Sequence, residues 1–430
     1  MAKVDSLPFD HGDWDQQRSS LEIPGYGPAG HPVVRHRTGN RMNKWTNWSR
    51  SESCKPAELH FARSVEDVSA VVARAAADGR TVRVAGSGHS HYPLVPTDGV
   101  VLDLSGLTGI VHTDVEAHRA RVWGGTTIYA LGRPLHDAGL ALTNQGDIDR
   151  QAIAGAAATG THGTGQNITN LSSMVAGLTI VNHRGDAVRC SATENSEMFR
   201  AARLGLGAFG VVTEIELSLV PAFRLAETRW TTTYDQLRPD IDELSDRHRH
   251  FEFFWFPQTD EAHPKTTDPT DEPAVYPVAE EGARCNWSYE VLSNHRPLLH
   301  TEMEYSIPVE RSLDCLDEIK DLLRGEFSDV AWPVEYRRVA ADDIAMSQAH
   351  GQAVATISVH QGKDLPAEPF FAACQKIFLR YDGRPHWGKV HYLDGAQLAA
   401  ITPGWGEWWT QRNAADPDGI FLNDRLRSWR

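Results

Sequence analysis

Two hydrophobic periods take turns along the chain. Ser64-Val65-Glu66-Asp67 reads as a helix N-cap with acidic first-turn residues, and Val68, Val71, Val72 and Ala75 follow at helical spacing. Asp78-Gly79 ends that helix, and the run over residues 81–85 predicts a short strand. The same reading predicts strands over 100–104, 120–123, 178–181, 187–190 and 211–219, with helices over 128–138 and 197–202. Strands and helices are interleaved up to about residue 220.

Beyond Pro221 the character changes. An aromatic strand is predicted over 251–256, and residues 259–278, rich in Pro, Thr and Asp, are expected to be a loop or lid. A strand over 299–307, a helix over 311–323 and strands over 334–339 and 353–360 follow. Strands separated by single helices, with no dinucleotide-type turn, predict an antiparallel sheet covered by helices. The expected organisation is an irregular arm over 1–50, a first domain over 51–220, a second over 221–384, and a segment over 385–430 that returns to the first. Trp45 and Trp48 give the arm something to bury.

Composition narrows the function classes. A length of 430 residues exceeds one ordinary core, and 41% apolar with 23% charged residues describes a globular chain. A formal charge of −15 excludes the concentrated Lys and Arg surface that nucleic acid requires. The five cysteines, Cys54, Cys190, Cys285, Cys315 and Cys374, form no CxxC pair, so neither a disulfide framework nor a cysteine zinc site is indicated. Residues 1–18 lack a signal-peptide apolar core, and no stretch approaches the roughly 18 apolar residues of a membrane helix. A cytoplasmic protein without membrane insertion is expected.

The candidate chemistry begins at Ala85-Gly86-Ser87-Gly88-His89-Ser90, directly after a predicted strand. Glycines there let backbone N–H groups approach a ligand closely, which suits a pyrophosphate, although the same loop also reads as an ordinary tight turn. Its spacing is not GxGxxG. His89 and His91, two apart, read either as a partial metal pair or as loop histidines bonded locally, and no third metal ligand is placed nearby in sequence. A second small-residue segment runs from Asn144-Gln145-Gly146-Asp147 into Ala154–Gly165, which suits a flat ligand lying on backbone or a helix contact lined with Ala and Gly. Further on, Glu335 and Arg337 lie two apart on a predicted strand and share a face, either as an exposed ion pair or as part of a site.

Three segments together, GSGHS at 86–90, NQGDID with AGAAATGTHGTG over 144–165, and LGAFGVVTEIEL over 206–217, resemble the FAD-binding domain of the vanillyl-alcohol-oxidase superfamily. Within it the likeness is to the sugar-lactone (gulonolactone and arabinonolactone) oxidases and the alditol oxidases. Glu335-Tyr336-Arg337, Pro385-His386-Trp387-Gly388-Lys389 and the run from Asp416 to Asn423 continue that likeness in the same order. The resemblance implies an α+β fold, a two-subdomain FAD-binding domain plus a substrate (cap) domain. It implies FAD bonded covalently through His89, pyrophosphate held by the 85–90 loop, and a cofactor site lined by Gly146, Asp147, Gly155, Thr159, Gly160, His162, Val212 and His386. Glu335, Arg337, Lys389 and His360 are the implied catalytic set, acting on a CH–OH group of a sugar lactone or polyol. Gly146 stands where oxygen-reactive members tend to have Gly, so O2 is the expected acceptor, with a dehydrogenase using another acceptor as the alternative. Asp147 departs from the Ser of alditol oxidases, which weakens the transfer of alditol specificity. A zinc hydrolase lacks its motif, and a non-catalytic nucleotide-binding module predicts no flavin reduction by any alcohol.

Overall fold

The computed structural model describes residues 44–279, 283–294, 296 and 298–430. Most of the predicted N-terminal arm lies outside them; its described end places Trp45 in a short ribbon with Ser53–Cys54. Helix Val65–Ala77 starts where expected, with the Ser64 side chain accepting from Asp67 N, and buries Val68, Val71, Val72 and Ala75. These pack on a parallel three-stranded sheet in the order Glu58–Phe61, Val100–Asp103, Val82–Ala85. A second, antiparallel sheet of five strands runs Ala187–Ser191, Val175–Val181, Val211–Ser218, Arg119–Trp123, Ile110–Asp114. The two sheets flank a cleft: Val84, Ala85 and Leu104 wall one side, and Ile180 and Val212 the other.

The chain crosses to the second half at Val220–Pro221, which pairs with Leu140–Ala141. There a nine-stranded sheet forms with every pairing antiparallel. Its strands alternate strictly. Phe251, Phe253, Trp255, Met303, Tyr305, Ile307, Tyr336 and Ile357 face a core completed by helices Val309–Gly325 and Glu368–Arg380. The other face turns toward the first half. This is the helix-covered antiparallel sheet expected from sequence.

One expectation fails in part. Residues 259–278 are a loop only in their second half: Glu261–Thr270 is a ten-residue strand between Arg224–Arg229 and His250–Trp255, and residues 271–278 carry no helix or strand. The strand's prolines misled the reading, because a proline cannot donate to a ladder. Pro264 pairs with Phe253 on one side, and on the other it falls in the gap between the Lys265 and Ala262 pairings of two different strands. Pro269 pairs with Leu225 on one side but lies beyond the His250–Thr267 pairing that ends the other. Each proline sits where the ladder on one side is interrupted or has ended.

The C-terminal segment leaves the cap sheet at Arg384–Pro385, which pairs with Tyr305 and Ser306, and then crosses to the cleft, where Gly388 O accepts from His91 N at 2.7 Å. The tail is tied down by Asn423, whose amide donates to Pro93 O, Leu94 O and Pro96 O. Asp416, ion-paired with Arg412 and fully buried, accepts from the N–H groups of Ile420 and Phe421. Buried Arg83 closes the arrangement by donating to Leu94 O, Leu206 O, Gly207 O and Phe421 O. One guanidinium therefore ties the first glycine strand, the 206–207 turn and the tail together, and its carbonyl partners compensate part of the cost of burying a cation.

Candidate active site

The cleft between the two sheets is narrow, about 140 Å³, and its wall is mostly backbone and small side chains. Ala85, Gly86, Ser87, Gly88, His89, Ser90, Gly155, Thr159, Val212 and His386 all line it. Gly88 turns the loop at φ +72°, a conformation that suits glycine. Gly155 is exposed to the cleft, and a Cβ there would meet nothing within 4 Å. Trp48 stacks on His89 with ring centroids 5.3 Å apart. His89 Nε2 is shielded from solvent and has no hydrogen-bond partner among the described residues. Desolvation, aided by Lys389 and His300, lowers its pKa to about 3, so the ring is neutral at ordinary pH. An unpartnered neutral imidazole and an open glycine cradle fit a large flat cofactor with a pyrophosphate.

The cleft opens into a larger chamber of about 540 Å³ beneath the nine-stranded sheet. Gln151, Thr161, His386 and Lys389 line both spaces and mark the junction. The chamber roof is built by strand register. Arg229, Lys265, Glu252 and Arg337 are successive partners across four strands, and Phe254, Glu335, Ser358 and Glu304 form the next row. His360 pairs with Glu302 beyond them. Lys265 and Arg337 thus flank Glu252 across neighbouring strands, and the array is buried except for the partly buried Arg229, Lys265 and Phe254.

Within this array Arg337 is ion-paired with Glu335, and its Nε lies 3.1 Å from Glu252. Lys389 is ion-paired with Glu302. Burial raises the Glu302 carboxyl, but Lys389 and the histidines around it outweigh that and hold it well below the usual carboxylate range. Glu335 goes the other way: burial pushes it up to about 8, against Arg337. His360 donates from Nδ1 to Pro333 O at 2.8 Å, and burial lowers its pKa to about 4, so Nε2 is a bare acceptor 3.8 Å from Glu302. His386, also lowered to about 4 by burial, accepts from Gly388 N at Nδ1. His162 Nε2 lies 2.7 Å from Glu304 Oε1, and Ser358 donates to the other oxygen of that carboxylate.

The sequence-predicted residues are thus gathered around the adjoining cleft and chamber, with four differences. Asp147, expected at the cofactor, lines the chamber instead, where Arg296 and Asn294 donate to it. Gly160 borders neither space; it turns the chain at φ +74° after helix Ile153–Ala158. Gly146 and His162, also expected at the cofactor, line the chamber and not the cleft. Sequence reasoning missed Glu252, Lys265, Arg296, His300, Glu302 and Glu304. The alternation His300-Thr301-Glu302-Met303-Glu304-Tyr305 carried a signal, since its even positions share one face. His91 meets His300 and Glu302, not His89, with ligand atoms within 4.8 Å. No helix among the described residues is long and apolar enough to cross a membrane, and all five cysteines are unpaired.

Comparison with known proteins agrees with this geometry. Residues 56–191 match the family described as FAD binding domain, and residues 215–284 and 274–429 match D-arabinono-1,4-lactone oxidase. The L-gulono-1,4-lactone dehydrogenase of Mycobacterium tuberculosis (strain ATCC 25618 / H37Rv) is 34% identical over 89% of this chain and 98% of its own length. An alditol oxidase from a Streptomyces species is 30% identical over 89% of this chain and 98% of its own length. In structure, cholesterol oxidase from B. sterolicum superposes with a TM-score of 0.78 at 16% identity, covering 90% of this chain and 97% of that one, which speaks for the fold alone. Fold, cleft and sequence likeness converge: the chain belongs to the FAD-linked sugar-lactone and alditol oxidoreductases of the vanillyl-alcohol-oxidase superfamily, binds FAD and carries out FAD-dependent oxidation of CH–OH groups.

Proposed function

We propose that the protein oxidises a neutral, polyhydroxylated substrate, a sugar lactone or an alditol, with FAD bonded covalently through His89 and O2 as the acceptor. The observation that carries this reading is that Lys389, at the junction of the cofactor cleft with the chamber, pairs with Glu302, which lies within 4.8 Å of Glu335 and so adjoins the Arg337–Glu335 pair, in a chamber whose five carboxylates stand against five Arg and Lys side chains. A charge-balanced chamber favours a substrate that brings hydroxyls rather than a net charge.

The 85–90 loop would hold the pyrophosphate through its N–H groups, and Gly155, Thr159 and Val212 would flank the cofactor. FAD, when bound, accepts the two electrons of the oxidation as a hydride. The protein's own residues supply the rest. Arg337 orients the reacting hydroxyl, Glu335 takes its proton, and Lys389 offers positive charge where both spaces meet. His360 presents Nε2 as a hydrogen-bond acceptor to a neighbouring hydroxyl. A hydroxyl-rich substrate satisfies these buried groups, whereas an analogue lacking a hydroxyl leaves them unpaired.

Gly146 next to the junction supports access of O2; a Cβ there would meet Thr161 Cγ2 at 3.2 Å. The names dehydrogenase and oxidase both occur among the relatives, so reoxidation by a dye but not by air would favour the dehydrogenase reading. The unpaired cysteines accord with a reducing, cytoplasmic setting. The covalent bond is tested by acid precipitation: flavin colour stays in the washed pellet of the parent and leaves it in His89→Ala. Colour lost from the parent pellet would remove the covalent link while keeping the flavoenzyme.

A further inference from the structure

Three carboxylates from separate elements share one corner of the chamber. Asp147 comes from the flavin-side half, Glu252 from strand His250–Trp255 and Glu335 from strand Val334–Val339, each offering an oxygen within 4.8 Å of the others. Cations thread between them unevenly. Asp147 has Arg296 at 2.8 Å, Lys265 at 3.7 Å and Arg337 at 3.7 Å, with Asn294 Nδ2 donating at 2.6 Å. Glu252 has Lys265 at 2.5 Å and Arg337 at 3.1 Å. Glu335 has Arg337 alone as an ion-pair partner among the described residues, and it also faces Glu302 and His360 within 4.8 Å.

Like charges this close cannot all ionise equally, and a shared proton goes to the group with the least cationic support. The directions agree with that geometry. Burial raises Asp147 and Glu252, but the cations around each outweigh it and leave both below the usual range. Burial pushes Glu335 up, Arg337 opposes it, and Glu252, Asp147 and Glu302 add to the rise.

We propose that Asp147 and Glu252 are positioning residues that make Glu335 the seat of the one proton this carboxylate triad can hold, so that a loop of the flavin-side half sets the basicity of the cap's proton acceptor. The proposal rests on the reading of Glu335 as that acceptor. In the oxidation the substrate O–H bond breaks and its electron pair becomes the second C–O bond. The C–H bond breaks with both electrons passing to the flavin as hydride, and the proton lands on Glu335. Arg296, Lys265 and Arg337 then face two ionised carboxylates instead of three. The corner has gained one positive charge just as two electrons have reached the cofactor, and this opposes charge separation.

The test is the pH dependence of anaerobic flavin reduction in the holoenzyme, using a sugar lactone or alditol that reduces the parent. Below about pH 8 the parent carries the proton on Glu335, so its rate rises with pH and levels off above that point. Asp147→Asn and Glu252→Gln each remove a neighbouring negative charge, so the limb should move acid by about one pH unit or more. Asp147→Glu, which restores the charge, should return it. An infrared band of a protonated carboxyl in the oxidised, substrate-free holoenzyme should titrate along the same limb and vanish in Glu335→Gln. A limb and band unmoved in both Asp147→Asn and Glu252→Gln, yet lost in Glu335→Gln, overturns the coupling alone. A limb that persists in Glu335→Gln removes Glu335 as acceptor and the proposal with it. If Asp147→Asn does not fold, Glu252→Gln decides the matter.

Discussion

Around the cofactor cleft the wall is mostly backbone and small side chains; around the chamber it is charged side chains and aromatic rings, many standing on strands far apart in sequence. Gly86, Gly88 and Gly155 leave room by having no side chain, and Arg83 holds the surrounding turns through carbonyl oxygens. In the chamber side chains supply most of the polar groups. Glu252 and Arg337, 85 residues apart, meet only because their strands pair. The cleft therefore suits a ligand recognised by shape and by its phosphates, and the chamber suits one recognised hydroxyl by hydroxyl. Damage to the two regions should separate cleanly, in cofactor content for one and in reduction rate for the other.

The largest effect is expected at the junction. Lys389→Met should slow flavin reduction by about 10²–10³-fold while leaving flavin content unchanged, read by anaerobic rapid mixing and the flavin-to-protein absorbance ratio. An unchanged reduction rate would remove Lys389 from the chemistry. Next comes the staple behind the cleft. Arg83→Met leaves buried carbonyls without a donor and should lower stability by roughly 3 kcal/mol in denaturant unfolding. Unaltered stability would show that tail and turns hold without it.

Gly155→Val sharpens the contrast, because Gly155 lines the cleft and a Cβ there would meet nothing within 4 Å, so the side chain would take up cleft space. It should cut the flavin-to-protein ratio about tenfold and leave reduction per bound flavin unaltered. A slowed reduction at full flavin content would blur the division between the regions. The smallest effect serves as a control. Ser64→Ala removes a cap remote from both spaces and should cost about 1 kcal/mol with no change in either readout.

The two regions also differed in how far they could be read beforehand. The cleft was legible because its parts are contiguous: the 85–90 loop, the 154–165 run and the 206–212 turn each carry their small residues in a row. Helix Val65–Ala77 was legible for the same reason, with cap and apolar stripe both local. Glu335 and Arg337 were found through a strand period and a family likeness. Their surroundings were not, because Lys265, Glu252, Glu302 and Glu304 become neighbours only through register. Reading residues 261–270 as part of a loop hid the strand that supplies Lys265, since the rule against proline in a sheet does not say where a ladder is interrupted. Asp147 was singled out by its departure from a family pattern, but its partners Arg296 and Asn294 lie in the cap, which local sequence does not reveal.

The most direct test of the central claim is anaerobic mixing of the purified yellow protein with neutral sugar lactones and alditols while the flavin absorbance is followed. The account predicts bleaching by at least one of them, abolished or strongly slowed in Lys389→Met and retained per bound flavin in Gly155→Val. A flavin-loaded protein that none of them bleaches would contradict the assignment of the charged chamber to the oxidation of polyhydroxylated substrates.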